Sequence, residues 1–197
     1  MTGKRRVVVA VTGASGSIYA RLLLKSLATP AEGQQAPEVA VIFSDNAMQI
    51  WEYELKEKPQ MPGSATIYSN DDFYAPFASG SSEWDTMIIC PASMGMTGRI
   101  AAGISDDLIS RAADVMLKER RRLILVPRET PYSLIHLRNM TLLTKAGATI
   151  CPATPSFYSQ PATIDELAMT VVERVLDLAA IPGKRKRWGE PPTTEHP

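Results

Sequence analysis

The chain has little cysteine, little histidine and no long apolar run, and each shortage removes a class of function. Two cysteines, Cys90 and Cys151, stand among 197 residues. They give no disulfide framework and no zinc-ligand spacing. Both lie in or beside apolar runs, where a free thiol serves as a small core residue. The two histidines, His136 and His196, have no serine or cysteine partner at a recognisable spacing. Neither a hydrolase triad nor a metal site is supported. No apolar stretch reaches the ~20 residues that a membrane span needs. The basic start is followed only by the short apolar run of residues 7–11, too brief for a secretory signal. Charge of one sign is missing as well: 21 lysines and arginines balance 21 aspartates and glutamates. A nucleic-acid footprint would need a basic excess or stripe. The chain therefore reads as cytoplasmic, with neither a nucleic-acid nor a membrane partner.

What is present is strands alternating with helices. Residues 6–11 form a β-branched run ending at Thr12-Gly13, as expected of a strand buried on both faces. Residues 17–28 then repeat their apolar positions at helical period. Further strands are expected at 38–43, 66–68, 86–90, 123–126 and 149–151. Further helices are expected at 46–55, 96–102, 107–119, 133–146 and 164–178, with Ser105-Asp106 placed to cap the fourth of the six and Gly147 closing the fifth. From about 182 the chain is a polar, proline-rich tail. The length fits one domain, residues 1–197. The alternation predicts an α/β fold: three layers, Rossmann-like, with a mostly parallel sheet. In such sheets ligands bind beyond the carboxyl ends of the strands, where the strand order switches. The loops after the strands are thus where chemistry is expected.

Those loops are unusual. Thr12-Gly-Ala-Ser-Gly-Ser17 is small enough to let backbone N–H groups approach an anion at a helix N-terminus, although it lacks the full dinucleotide fingerprint and the P-loop lysine. Ser44-Asp45-Asn46 suits a helix cap, a phosphate contact, or both. Cys90-Pro-Ala-Ser-Met-Gly-Met-Thr97 offers methionines either to the core or to one face of a planar ring. Pro127-Arg-Glu-Thr-Pro131 delivers an arginine and a glutamate between two prolines at a strand end. Arginine suits a phosphate or the polar edge of a flavin, and a partly desolvated glutamate can carry a proton. Arg111 and Lys118, seven apart, share a helix face. Arg174 interrupts the apolar face of its helix, and Tyr158 follows the last strand.

Taken together, Gly13-Ala-Ser-Gly16, Cys90-Pro-Ala-Ser93, Arg111-Ala-Ala-Asp114, Leu117-Lys-Glu119, Val126-Pro-Arg-Glu-Thr-Pro131, His136-Leu-Arg-Asn-Met140, Pro155-Ser-Phe-Tyr158 and Arg187-Trp188 resemble, in order, the flavin prenyltransferases of the UbiX type. The resemblance implies a flavodoxin-like fold and a homo-oligomer, a dodecamer. It implies metal-independent transfer of a dimethylallyl group from dimethylallyl phosphate to N5 and then C6 of reduced FMN. The product, prenylated FMN, is the cofactor of a UbiD-type decarboxylase. Carried over residue by residue, Gly13, Ala14, Ser15, Ser44, Ala92, Ser93, Met94 and Arg128 would bind FMN. Ser15, Glu54 and Glu129 would be catalytic: Ser15 near the reacting nitrogen, Glu129 as proton carrier to the leaving phosphate, and Glu54 accepting a proton during ring closure. Arg111, Lys118, Glu129, Tyr158 and Arg174 would surround the donor phosphate, and Trp188 would help close the site. Where the family often has Cys-Ser-apolar-Lys-Thr, this chain has Ala92-Ser-Met-Gly-Met96, so the donor, mono- or diphosphate, stays open. Two other readings remain: an FMN-dependent cysteine decarboxylase of the same fold, and a non-enzymatic FMN-binding module. Against the first, no histidine stands early in the chain and no asparagine lies between Cys90 and Gly103.

Overall fold

A computed structural model describes residues 4–30, 33–61, 63 and 65–182. Its six strands are β1 (Arg6–Val11), β2 (Glu38–Phe43), β3 (Ala65–Tyr68), β4 (Thr86–Ala92), β5 (Arg122–Pro127) and β6 (Thr149–Ile150). The helices are α1 (Ser17–Ala28), α2 (Asp45–Leu55), α3 (Met94–Ala101), α4 (Leu108–Lys118), α5 (Leu134–Ala146) and α6 (Ile164–Leu178), with one 3-10 turn at Pro76–Ala78. The strands form one sheet in the order β3-β2-β1-β4-β5-β6, and every pair is parallel. Parallel pairing follows from the crossovers between strands, which are α-helical except from β3 to β4, where only the 3-10 turn interrupts an irregular segment.

Alternate residues of each strand serve opposite faces. Val7, Val9, Val11, Val39, Val41, Ile88, Cys90, Ile124 and Val126 pack under α1, α2 and α6. Val8, Ala10, Ala40, Ile42, Met87, Ile89, Leu123 and Leu125 pack under α3 and α4 and against Phe77 and Trp84. Burial on both sides is why the strands read as unbroken β-branched runs. Chain order reverses between β1 and β4. To one side the chain steps from β1 to β2 and β3, and to the other from β4 to β5 and β6. The crevice at this switch is bounded by the loops after β1 and β4.

Several element ends differ from the sequence expectation. Helix α4 is capped by Asp107, not by Ser105-Asp106: the Asp107 carboxylate accepts from Ser110 N at 2.7 Å, and the Ser110 hydroxyl accepts in turn from Asp107 N at 3.3 Å. Asn70 adds to this cap from another loop, accepting from Leu108 N and Ile109 N. Helix α3 starts two residues early, at Met94, because the Ser93 hydroxyl accepts from Met96 N. Strand β4 runs on through Pro91 to Ala92, and β6 stops one residue short of Cys151. No described helix is long and apolar enough to cross a membrane. The tail from 183, with Trp188, lies outside the described residues.

Candidate functional site

The carboxyl ends of β1, β2, β4 and β5 bring Gly13, Ala14, Ser15, Ser44, Ala92, Ser93, Met94, Arg128 and Glu129 to one edge of the sheet. The loop after β1 is built for close approach. Gly16 has φ +113°, and a Cβ there would stand 2.9 Å from Cδ2 of Tyr19, so only glycine fits without strain. At Gly13 a Cβ would stand 3.1 Å from Cβ of Asn46, which seats the loop closely against α2. Arg128 reaches this loop from β5, its Nε donating to the Ser15 carbonyl at 2.9 Å. Its terminal nitrogens have no hydrogen-bond partner among the described residues, so two of its donor groups stay available beside Ser15.

Glu54, from the last turn of α2, comes to the same loop. Its carboxylate accepts from Gly16 N at 3.0 and 3.1 Å and from Ser17 N at 2.8 Å. The anion at the N-terminus of α1 is therefore the chain's own carboxylate, where the sequence suggested an open anion site. The dipole of α1 favours a negative charge there, and Gly16 supplies no side-chain cap. Burial works against the Glu54 charge. Hydrogen bonds from Ser15 and from the Ser17 and Gly16 backbone outweigh it and hold the carboxyl below the usual glutamate range. A carboxylate so held is a weak base until those bonds are disturbed.

The N-terminus of α2 is the open one. Ser44 occupies the cap position, yet its hydroxyl makes no capping bond, so hydroxyl and helix end both remain for an anion. Ser93 differs: its hydroxyl is engaged in the α3 cap and its N–H donates to Oγ1 of Thr12 at 2.7 Å. Ala92 is fully buried, and its carbonyl accepts from Arg128 N at 3.4 Å. Met94 and Met96 are both buried, whereas Gly95 is exposed with open space where a Cβ would be. Glu129 is half-buried, and its Oε1 accepts from Thr130 N at 3.0 Å.

Among the described residues, no hydrogen bond draws Arg111, Lys118 or Arg174 into this edge. The Arg111 guanidinium donates to the Ala78 carbonyl at 3.0 Å and lies 3.8 Å from Asp114. Lys118 pairs with Glu119 at 2.9 Å. Arg111 thus meets the last residue of the 3-10 turn, and Lys118 stands beside Gly80, just after it. Arg174 is exposed on α6, close enough to Cys151 to oppose the upward push that burial gives its thiol. Tyr158 is 86% exposed. Cys90 is buried and its thiol is pushed up far above the ordinary range, which fits a core residue and no nucleophile.

Two neighbours of the site, Tyr19 and Thr12, were given no role by the sequence. Tyr19 packs beneath Gly16, three residues along α1, and is half-buried. Burial raises its phenol pKa, the neighbourhood of Cys90 adds to this, and Arg128 opposes it. Thr12 is buried at the end of β1; its position directly after a strand was the one available clue. No cluster of metal-ligating side chains occurs among the described residues.

A three-layer parallel α/β chain with its polar loops gathered at the switch point is the class that fold and site define. The Flavoprotein family model matches residues 1–180. The flavin prenyltransferase UbiX of Thermoplasma acidophilum is 44% identical over 186 residues, covering 93% of this chain and 99% of the relative. That of Pseudomonas aeruginosa is 42% identical over 207 residues, covering 96% and 97%. A UbiX crystal structure in complex with FMN and dimethylallyl pyrophosphate matches at TM-score 0.78 and 40% identity, over 94% of this chain and all of that one. A dodecameric FMN-dependent UbiX-like decarboxylase from Escherichia coli O157:H7 matches at TM-score 0.84 and 37% identity, over 94% and all of that chain. This chain belongs to the UbiX-type flavin prenyltransferase family. A PPC decarboxylase in complex with pantothenoylaminoethenethiol shares only the fold, at 17% identity and TM-score 0.61.

Proposed function

We propose that this protein is a metal-independent transferase that joins the dimethylallyl group of dimethylallyl phosphate to N5 and C6 of reduced FMN, and that a UbiD-type decarboxylase takes up the product. The observation that carries the reading is the convergence of Ser15, Glu54 and Arg128 on one loop at the switch point, by the 2.9 Å Arg128–Ser15 bond and the Glu54 bonds to Gly16 and Ser17.

The residues present fit FMN. The loop of residues 13–16 admits no Cβ at Gly16, Arg128 keeps donors free, and the Ser44 hydroxyl heads an uncapped helix. Gly13, Ala14, Ser15, Ser44, Ser93 and Arg128 would hold it, with Met94 and the Ala92 backbone as part of the wall. When bound in reduced form, FMN supplies the nucleophile, so the chain needs none of its own. Arg111, Lys118, Tyr158 and Arg174, which the single chain does not gather at this edge, would have to meet the departing phosphate together to take up its developing charge; Trp188, assigned to closing the site, lies outside the described residues. Glu129 carries a proton to that phosphate, as a half-desolvated carboxyl at a strand end is placed to do. Glu54 holds the Ser15–Ser17 turn in place and accepts a proton once its hydrogen bonds loosen. Met94, buried at the start of α3, would shield the allylic fragment from water.

The same reading makes the protein a cytoplasmic homo-oligomer, a dodecamer of FMN-binding domains. The outer face of α5 supports assembly: Leu134, Ile135, Leu137 and Leu142 are 47–67% exposed. The test is reconstitution. Protein incubated anaerobically with reduced FMN and dimethylallyl phosphate, in parallel with the diphosphate, is added to a UbiD-type apo-decarboxylase. Carbon dioxide release above the minus-donor control is expected in the monophosphate arm. Release in the diphosphate arm alone reassigns the donor. No release in either arm, where an established UbiX sustains it, contradicts the proposal.

A further inference from the structure

We infer that Thr12 is a positioning residue: its hydroxyl is the brace that sets the gap between the two loops of the switch-point crevice. The inference rests on the FMN reading above. Strands β1 and β4 pair regularly only as far as Ala10 and Ile89. Beyond that point the ladder fails, because Pro91 has no N–H to give. Thr12 takes over. Its Oγ1 donates to the Pro91 carbonyl at 2.7 Å and accepts from Ser93 N at 2.7 Å, while its own N–H donates to Pro91 O at 3.3 Å.

The residue is 1% exposed, so water cannot replace these bonds. A hydroxyl is required, since one atom has to give and accept at once. Thr12 adjoins Gly13-Ala14-Ser15 on one side of the crevice, and Ser93, which caps α3, stands on the other. The brace therefore couples the loop that meets Arg128 and Glu54 to the loop that carries Met94 and Met96. Its loss lets the two loops drift relative to one another, and a planar ligand held between them registers the change.

Thr12→Val keeps the shape and removes the hydroxyl; Thr12→Ser keeps the hydroxyl. FMN affinity by fluorescence titration, the absorption spectrum of bound FMN, and kcat and KM for prenyl transfer are measured for each, beside thermal stability. Thr12→Val loses both hydroxyl bonds, and, since part of that loss falls on the fold rather than on the ligand, it is expected to bind FMN about tenfold more weakly. Its bound-flavin spectrum is expected to shift, and its kcat to fall more than KM rises, with Thr12→Ser close to wild type. If Thr12→Val does not fold, Thr12→Cys, whose thiol is a weak donor and acceptor, carries the same expectation. A variant with lowered Tm but wild-type affinity, spectrum and kcat overturns the brace and leaves a structural threonine. Wild-type protein that binds no FMN overturns the underlying reading, and the brace with it.

Discussion

Single residues at the sheet edge divide into those announced by position and those announced by nothing. Arg128 and Glu129 were legible because they directly follow a strand, set between two prolines, and the carboxyl ends of strands are where ligands gather in a parallel sheet. The role of Glu54 as the anion of α1 was not. It stands 38 residues from Gly16, and only the packing of α2 beside α1 brings the two together. The capping role has a pH signature. Its hydrogen bonds depress the Glu54 pKa below that of the unfolded chain, so the stabilisation is present above the unfolded value of about 4.5 and is lost as pH falls through the folded value. Glu54→Gln should therefore lower Tm at pH 7 and cost progressively less below about pH 4.5. Paired thermal melts from pH 3 to pH 7 check this. An equal deficit at both ends would remove the charge from the account.

Elements were easier to read in their middles than at their ends. The helical periods of α1, α4 and α6 and the β-branched runs of β1, β2 and β5 stand where the sequence put them. The two-residue shift of α3 came from a cap that uses the Ser93 side chain, and the α4 cap falls on Asp107 because only that carboxylate can exchange bonds with Ser110. The segment of residues 69–82 was the least legible, since it is anchored by tertiary contacts and has no period. Phe77, wholly buried, meets Tyr68 and Trp84 edge-on at 5.0 and 5.3 Å. It fixes the turn whose Ala78 carbonyl holds Arg111. Phe77→Ala is expected to cost about 3–5 kcal/mol by the loss of a buried aromatic. If Arg111 meets the donor phosphate, the variant also raises KM for the donor more than Kd for FMN. Urea unfolding and steady-state kinetics read the two effects separately.

For the whole molecule, the parallel sheet was legible from alternation, but its order was not: periodicity says nothing about which strand lies beside which. That β1 and β4 are neighbours, and hence that the loops of residues 13–17 and 93–97 face one crevice, had to come from the structure. Assembly is legible only in part. Zero net charge permits association, and the α5 face shows where apolar surface is in excess. Leu137→Glu on that face should lower the assembly mass seen by light scattering while leaving the secondary structure unchanged; an unchanged mass would move the interface elsewhere.

The central claim is that the switch-point loops make a prenyl-transfer site on FMN. It is tested most directly by the mass of the flavin released after anaerobic incubation with reduced FMN and dimethylallyl phosphate. Wild-type protein is expected to release a flavin heavier by one five-carbon unit, and Glu129→Gln unmodified FMN or a strongly slowed conversion. FMN that is bound yet leaves with its mass unchanged, with either the phosphate or the diphosphate donor, would contradict it.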